Sequence, residues 1–403
     1  MPEATKIPTK ATGVAKEPVT LADEAARIIE EHGRVLWRYG GAEPGPTVIL
    51  TGSLHGNEPA GVVVLARIGA ALEAHAPRCA GRVVAVAGNL PALEARVRYI
   101  DRDLNRRWTA AALTELRSHG PRTAEDREQL AIADIIDAEL SRADAPAVIL
   151  DLHTTSGAGA PFCCLADTVA SRTLAAALPV PMVLGLEEIL DGSMLGYLAD
   201  RGHAGVAFEG GAHDAPDAAD NQAAAVWTIL VAAGSLHADD VPELAASCAR
   251  LADRSAGVPR AVEIRYRHAV TENDDFVMTP GHASFDAVFA GQVVGRDGNG
   301  PVCAPFSGRL LMPRYQGKGE DGFFLVREVP PPVAMASLWL RRVGADRLLP
   351  LLPGVERHPE HRTALVVSPG ALSDTVAAIL ATFGYRRKKK RGPNLVVARR
   401  GQP

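Results

Sequence analysis

Between residues 47 and 236, short apolar runs alternate with stretches whose apolar positions recur every three or four residues. The runs at 47–54, 82–88, 147–153, 181–186 and 204–211 have the length and apolar content of buried strands. The segments 61–75, 124–140 and 168–177 between them, and 218–233 after the last, read as helices. Apolar strands in alternation with helices predict an α/β fold, a mostly parallel sheet covered by helices on both faces.

From 262 to 328 the pattern changes to short β-like pieces among Gly and Pro: "AVEIRYRHAV", "GQVVGR", "GRLLMP" and "GFFLVREV". That predicts a small all-β module, closed by the triple proline Pro330–Pro332. Residues 334–403 read as strand, helix, strand, helix, strand, a small α/β extension expected to be an independent add-on. Within it, "RRKKKR" from Arg386 to Arg391 reads as a solvated turn before the last strand. The expected division is 1–46 an N-terminal segment, 47–255 the main domain, 260–332 the β-rich module and 334–403 the extension. The first ~20 residues are polar and are expected to be frayed or draped on the surface.

Composition narrows the partners. A chain of 403 residues is too long for one ordinary core, and a net charge of -4 gives no reason to expect nucleic acid or an anionic membrane. No apolar stretch has the length to cross a bilayer, and the N-terminus has no apolar signal region. Cys79, Cys163, Cys164, Cys248 and Cys303 are odd in number and lack metal-ligand spacing. Reduced thiols in a cytoplasmic protein are the expectation.

Ligands of open α/β sheets bind beyond the carboxyl ends of the strands. The first strand here ends at His55 and Glu58, the second at Asn89, the third at His153 and the last at Glu209. The loop "RYIDRDLNRRW" after the second supplies Arg98, Asp103, Asn105 and Arg106. His-x-x-Glu is common by chance, but at a helix entrance both side chains can converge, and His153 would complete a three-ligand zinc site from a neighbouring strand. Asp151 is placed to orient such a ligand, and Asp103 to hold the Asn105–Arg106 loop. His75, His203, His213, His237, His268 and His282 lack metal spacing and read as surface or capping residues.

"HGNEPAG", "GNLPAL", "RYIDRDLNR", "DLHTT" and "FEGG" together resemble the succinylglutamate desuccinylase and aspartoacylase family, zinc deacylases related in fold to metallocarboxypeptidases. The resemblance runs from about Thr47 to Glu328, and the final ~70 residues have no counterpart in it. It implies a carboxypeptidase-like sheet, one zinc per chain held by His55, Glu58 and His153, and an Arg98 that polarises the scissile carbonyl. It further implies that Asn105 and Arg106 hold a substrate carboxylate and that Glu209 shuttles the proton. Arg107-Trp108 departs from the family's usual Phe-Pro-Gly; Arg201 and Tyr315 are candidates for two further substrate contacts. The activity so implied is zinc-dependent hydrolysis of a small N-acyl amino acid or similar carboxylate-bearing amide, with the oligomeric state left open. A zinc carboxypeptidase acting on peptides or peptidoglycan fragments, and a non-catalytic metal- or ligand-binding relative, are the alternatives.

Overall fold

The computed structural model describes residues 19–400, so the expectation for the first residues falls outside the described chain. Its largest element is an eleven-stranded mixed sheet. Eight of the strands come in chain order as β1 (Val35–Gly40), β2 (Glu43–Gly52), β3 (Ala80–Ala87), β4 (Val148–Thr155), β5 (Phe162–Cys164), β6 (Met182–Leu184), β7 (Ala204–Ala212) and β8 (Ala261–Ala269). Strands β3, β2, β4 and β7 run parallel at its centre, as the apolar runs require.

Val48, Ile49 and Leu50 are wholly buried because helices cover both faces. On one face the helices Ala60–His75 and Ala218–Ala232 pack against Val48, Leu50 and Ala85. On the other, Ala124–Leu140 and Met194–Asp200 pack against Ile49 and Val84. The sheet extends further at both edges than the sequence suggests. The helix Leu21–His32, closed by a Thr20–Asp23 capping box, precedes β1, which pairs antiparallel with β3. At the other end β8 pairs parallel with β6, so the main sheet runs through the boundary expected near residue 260.

The β-rich stretch adds β9 (Val277–Met278), β10 (Ala287–Val288), β11 (Val293–Asp297), β12 (Gly300–Cys303), β13 (Gly308–Leu311) and β14 (Asp321–Glu328). Strands β14, β13 and β10 continue the main sheet from β8, while β9, β11 and β12 form a separate three-stranded sheet. The extension contains a four-stranded antiparallel sheet of β15 (Val355–Arg357), β16 (Ala364–Val367), β17 (Arg387–Arg391) and β18 (Asn394–Ala398).

Two readings of the extension are overturned. The stretch read as its first strand lies in the helix Pro331–Arg342, because proline at the first helical positions starts a helix as readily as it ends a strand. The basic run is no solvated turn. Arg387–Arg391 pairs with β18, and the Arg386 side chain turns inward to Asp167.

Asp167, just after β5, is the anchor of the extension. Its buried carboxylate accepts from Arg172 at 2.6 and 3.0 Å, from Arg341 at 2.6 Å and from Arg386 at 3.1 Å. Burial pushes the carboxyl up, but the three guanidinium groups outweigh it and hold it well below the usual carboxylate range. Removing one partner of a buried ionic cluster typically costs about 3–5 kcal/mol. Asp167→Ala is expected to lower stability by that order in chemical denaturation, with the extension loosening first. Wild-type stability in that variant would show that the cluster does not hold the extension.

Candidate metal centre and active-site cleft

Strand β2 ends at Gly52, and the chain reverses through Ser53, whose φ of 60° lies in the left-handed region. The Ser53 hydroxyl donates to the Glu58 carbonyl at 2.8 Å, closing the turn. Gly56 sits against Ala92 so closely that a Cβ would come within 2.0 Å of its carbonyl carbon. Only glycine fits there. The turn delivers His55 and Glu58 to the mouth of the helix Ala60–His75 with both side chains facing one point.

The Glu58 carboxylate lies between two imidazoles, Oε1 at 2.8 Å from His55 Nδ1 and Oε2 at 3.0 Å from His153 Nδ1. The ring centroids are 5.2 Å apart. Each histidine has its other nitrogen on an aspartate: His55 Nε2 lies 3.2 Å from Asp103 and His153 Nε2 2.8 Å from Asp151. Asp151 is itself fixed by the Thr51 hydroxyl at 2.7 Å. Carboxylates that grip the far nitrogen of a histidine and leave the near one free to ligate are the usual surroundings of a protein metal site. The three donors lie within 4.8 Å of one another and can hold a metal ion, and two imidazoles with a carboxylate fit zinc with one position open.

A second triplet, His358, Glu360 and His361, fits less well. His358 Nδ1 already accepts from the backbone N–H groups of Glu360 and His361 at 3.2 Å, and its Nε2 faces Arg391 at 3.0 Å.

Charge follows this geometry. Burial pushes the Glu58 carboxyl up, but the His55 and His153 rings outweigh it and hold it well below the usual range. Burial pushes His153 down, and Asp151 and Glu58 reverse that to raise it well above an ordinary histidine. Glu209 behaves oppositely. It sits beside His153 in the β4–β7 register, and burial raises its carboxyl to about 7. Its Oε2 is buried without a hydrogen-bond partner among the described residues.

His55, Glu58, His153 and Glu209 line one cleft, together with Arg98, Asn105 and Arg106. Arg98 donates to Asp103 through Nε and Nη2, at 3.1 and 2.9 Å, with Nη1 3.7 Å from Glu58. Asp103 thus orients His55 and Arg98 together, a larger role than holding the loop. Asn105 accepts from the Met194 backbone N–H at 2.7 Å. Arg106 is not a free fork, since Nη2 donates to Asp321 at 3.2 Å and Nη1 to the Asn105 carbonyl at 2.9 Å.

The three proposed ligands His55, Glu58 and His153, and with them Arg98, Asn105, Arg106 and Glu209, line this cleft. Arg201 and Tyr315 do not. Arg201 pairs with Asp137 at 2.7 Å, and the Tyr315 hydroxyl donates to the Thr279 carbonyl at 2.9 Å. Sequence reasoning missed Glu187 and Ser193 on one wall, and Arg314, Gln316 and Asp321 on another. It also passed over His213, which lies 2.7 Å from the hydroxyl of Thr154, the neighbour of His153. Its place four residues after Glu209 was the available signal.

Residues 44–231 match the family model described as succinylglutamate desuccinylase/aspartoacylase catalytic domain. That stretch, a little under half of the chain, is similar to the family's catalytic domain. His55, Glu58, Arg98, Asn105, Arg106, His153 and Glu209 fall within it, whereas Arg314, Gln316 and Asp321 lie beyond it.

Solved structures share the fold of this chain. A succinylglutamate desuccinylase/aspartoacylase from Rhodobacter sphaeroides aligns with TM-score 0.52 and 20% identity over 72% of this chain and 88% of its own. An ectoine utilization protein from Ruegeria pomeroyi, in a product-bound structure, gives 0.52 and 20% over 71% and 87%. A succinylglutamate desuccinylase from Vibrio parahaemolyticus gives 0.52 and 16% over 73% and 86%. The search of curated proteins found no match.

Proposed function

We propose that this protein is a zinc-dependent deacylase that hydrolyses the amide bond of a small N-acyl amino acid. One observation carries the reading: three donors able to hold a metal ion, a carboxylate with one oxygen unpartnered among the described residues, and two arginines face a single cleft. When bound, zinc supplies Lewis acidity and brings the pKa of water toward 7. Glu209 takes a proton through its unpartnered oxygen and returns it to the leaving nitrogen. Arg98, held rigid by Asp103, supplies positive charge beside the reacting carbonyl. Asn105 and Arg106 bind the substrate carboxylate.

Met312, Arg314, Gln316 and Phe324 line the cleft on the β-rich side. Among the described residues no helix is long and apolar enough to cross a membrane, and the five cysteines are free thiols, as a cytoplasmic enzyme would keep them.

The test is a hydrolysis screen of N-acetyl, N-succinyl and N-formyl amino acids with the zinc-loaded protein, beside peptides of two to four residues. Cleavage of an acyl amino acid supports the reading. Cleavage of peptides alone makes the protein a carboxypeptidase, and retained zinc with no hydrolysis makes it a binding relative.

The Arg106–Asp321 pair gives a sharper expectation. Arg106→Lys keeps the charge but loses the fork, so kcat/KM for a carboxylate-bearing substrate should fall more than about tenfold. Asp321→Asn removes the carboxylate that competes for Arg106 and is expected to lower KM for the same substrate. An unchanged KM in both variants would take the carboxylate pocket away from Arg106.

A further inference from the structure

Arg400 follows β18, and its guanidinium is buried in the catalytic domain rather than in the extension that carries it. Nη1 donates to the Gly196 carbonyl at 2.6 Å and to Asp200 at 2.9 Å. Nη2 donates to the Glu187 carbonyl at 2.8 Å, and Nε lies 3.5 Å from the Glu188 carboxylate. These acceptors lie on two short helices, Leu186–Ile189 and Met194–Asp200, and Arg400 ties the two together. Gly196 leaves room for it, since a Cβ there would come within 2.7 Å of Arg400 Nη2.

The tied segment is a wall of the cleft, contributing Leu186, Glu187, Leu190 and Ser193. It also touches the substrate loop directly. The Gly192 carbonyl accepts from the Trp108 backbone N–H at 2.8 Å, and the Met194 backbone N–H donates to Asn105 Oδ1 at 2.7 Å. Gly192, with φ 76°, packs so tightly on Arg106 that a Cβ would lie 2.1 Å from its carbonyl oxygen. The contacts therefore run unbroken from Arg400 through the wall to Asn105 and Arg106.

We propose that Arg400 is a positioning residue through which the C-terminal extension fixes the cleft wall and, with it, the Asn105–Arg106 substrate loop. The proposal rests on the reading of this cleft as the substrate site. Five donors in a planar fork suit the task, because carbonyls and carboxylates on both helices can be gripped by one rigid group. The wall helices have four and seven residues, too short to hold their own geometry, so an external tie sets it.

The test uses the full chain and two readouts. Arg400→Ala is expected to speed hydrogen exchange at the Trp108 and Met194 amides, while amides of β2 and β3 keep their protection. KM for the best acyl amino acid should rise about tenfold or more with kcat within about threefold and zinc content unchanged, since the loop binds substrate but performs no proton transfer. Arg400→Lys should restore part of the protection and part of the KM. Gly196→Ala, which crowds the guanidinium from the wall side, should reproduce the exchange change if Arg400→Ala does not fold. Arg342→Ala removes a different contact of the extension, to the Thr173 hydroxyl at 2.9 Å, and should change neither readout. Exchange at Trp108 and Met194 that stays at wild-type rates in Arg400→Ala and Gly196→Ala overturns the proposal. So does faster exchange spread evenly over the chain with KM unchanged. If the wild type hydrolyses nothing in the panel, the deacylase reading falls, and the exchange rates still decide whether Arg400 holds the loop.

Discussion

His153→Ala is expected to strip the protein of zinc and abolish hydrolysis together. The imidazole is held through Nε2 by Asp151 at 2.8 Å, which leaves Nδ1, 3.0 Å from Glu58, facing the metal position already oriented. Without it, two donors remain, fewer than zinc sites use. Asp151→Asn tests the same arrangement more gently. It keeps the ligand but weakens the carboxylate that orients it, and changes of that kind typically cost about 10–100-fold in metal affinity. Zinc content per chain after dialysis against a chelator is the measurement for both variants. If His153→Ala keeps wild-type zinc, the ligand assignment is wrong. If Asp151→Asn keeps wild-type affinity, the aspartate serves β4 and not the metal.

The candidate site was legible because its residues lie at or near the ends of apolar runs. His55 and Glu58 follow β2, His153 lies near the end of β4 and Glu209 in β7, all buried strands whose runs announce themselves. What stayed hidden has physical reasons. Strand β5 has three residues, too few to carry a period, yet it sits between β7 and β6 and runs antiparallel to β7. The helix Pro331–Arg342 looked like a strand because its apolar residues are not gathered on a buried face: Met335 and Trp339 are 72% and 63% exposed. Asp321 reaches Arg106 because β14 pairs with β8 at the far part of the same sheet, and Arg400 reaches Gly196 across 204 residues of chain. Contacts of that span are fixed by tertiary pairing, which local pattern does not encode. The basic run from Arg386 to Arg391 looked like a solvated turn for the same reason. Only the fold shows that Asp167 gathers Arg341 and Arg386 in the interior.

Glu209→Gln is expected to lower kcat by about 10²–10⁴ with full zinc occupancy, the usual contribution of a positioned acid–base group. Glutamine keeps the size of the side chain and cannot take a proton, so KM should change far less than kcat. The environment of Glu209 sets the pH dependence. Burial raises its carboxyl to about 7, with His153 pulling it down and Glu58 pushing it up. A cation on the three ligands would pull it down further, so the acid limb of kcat/KM should fall between the ordinary carboxylate range and about 7. The base must be ionised to work, so activity rises with pH through that limb, and the limb should vanish from the residual activity of Glu209→Gln. Stability has the opposite sign. A carboxyl whose folded pKa is raised favours the folded state while protonated, and that contribution is lost as pH climbs through about 7. Measured on zinc-free protein, the Tm of Glu209→Gln should therefore gain on wild type between pH 5 and pH 8. A glutamate that merely ended a strand in water would give neither the lost limb nor the Tm crossover, and a zinc-loaded Glu209→Gln with near wild-type kcat would remove Glu209 from the chemistry.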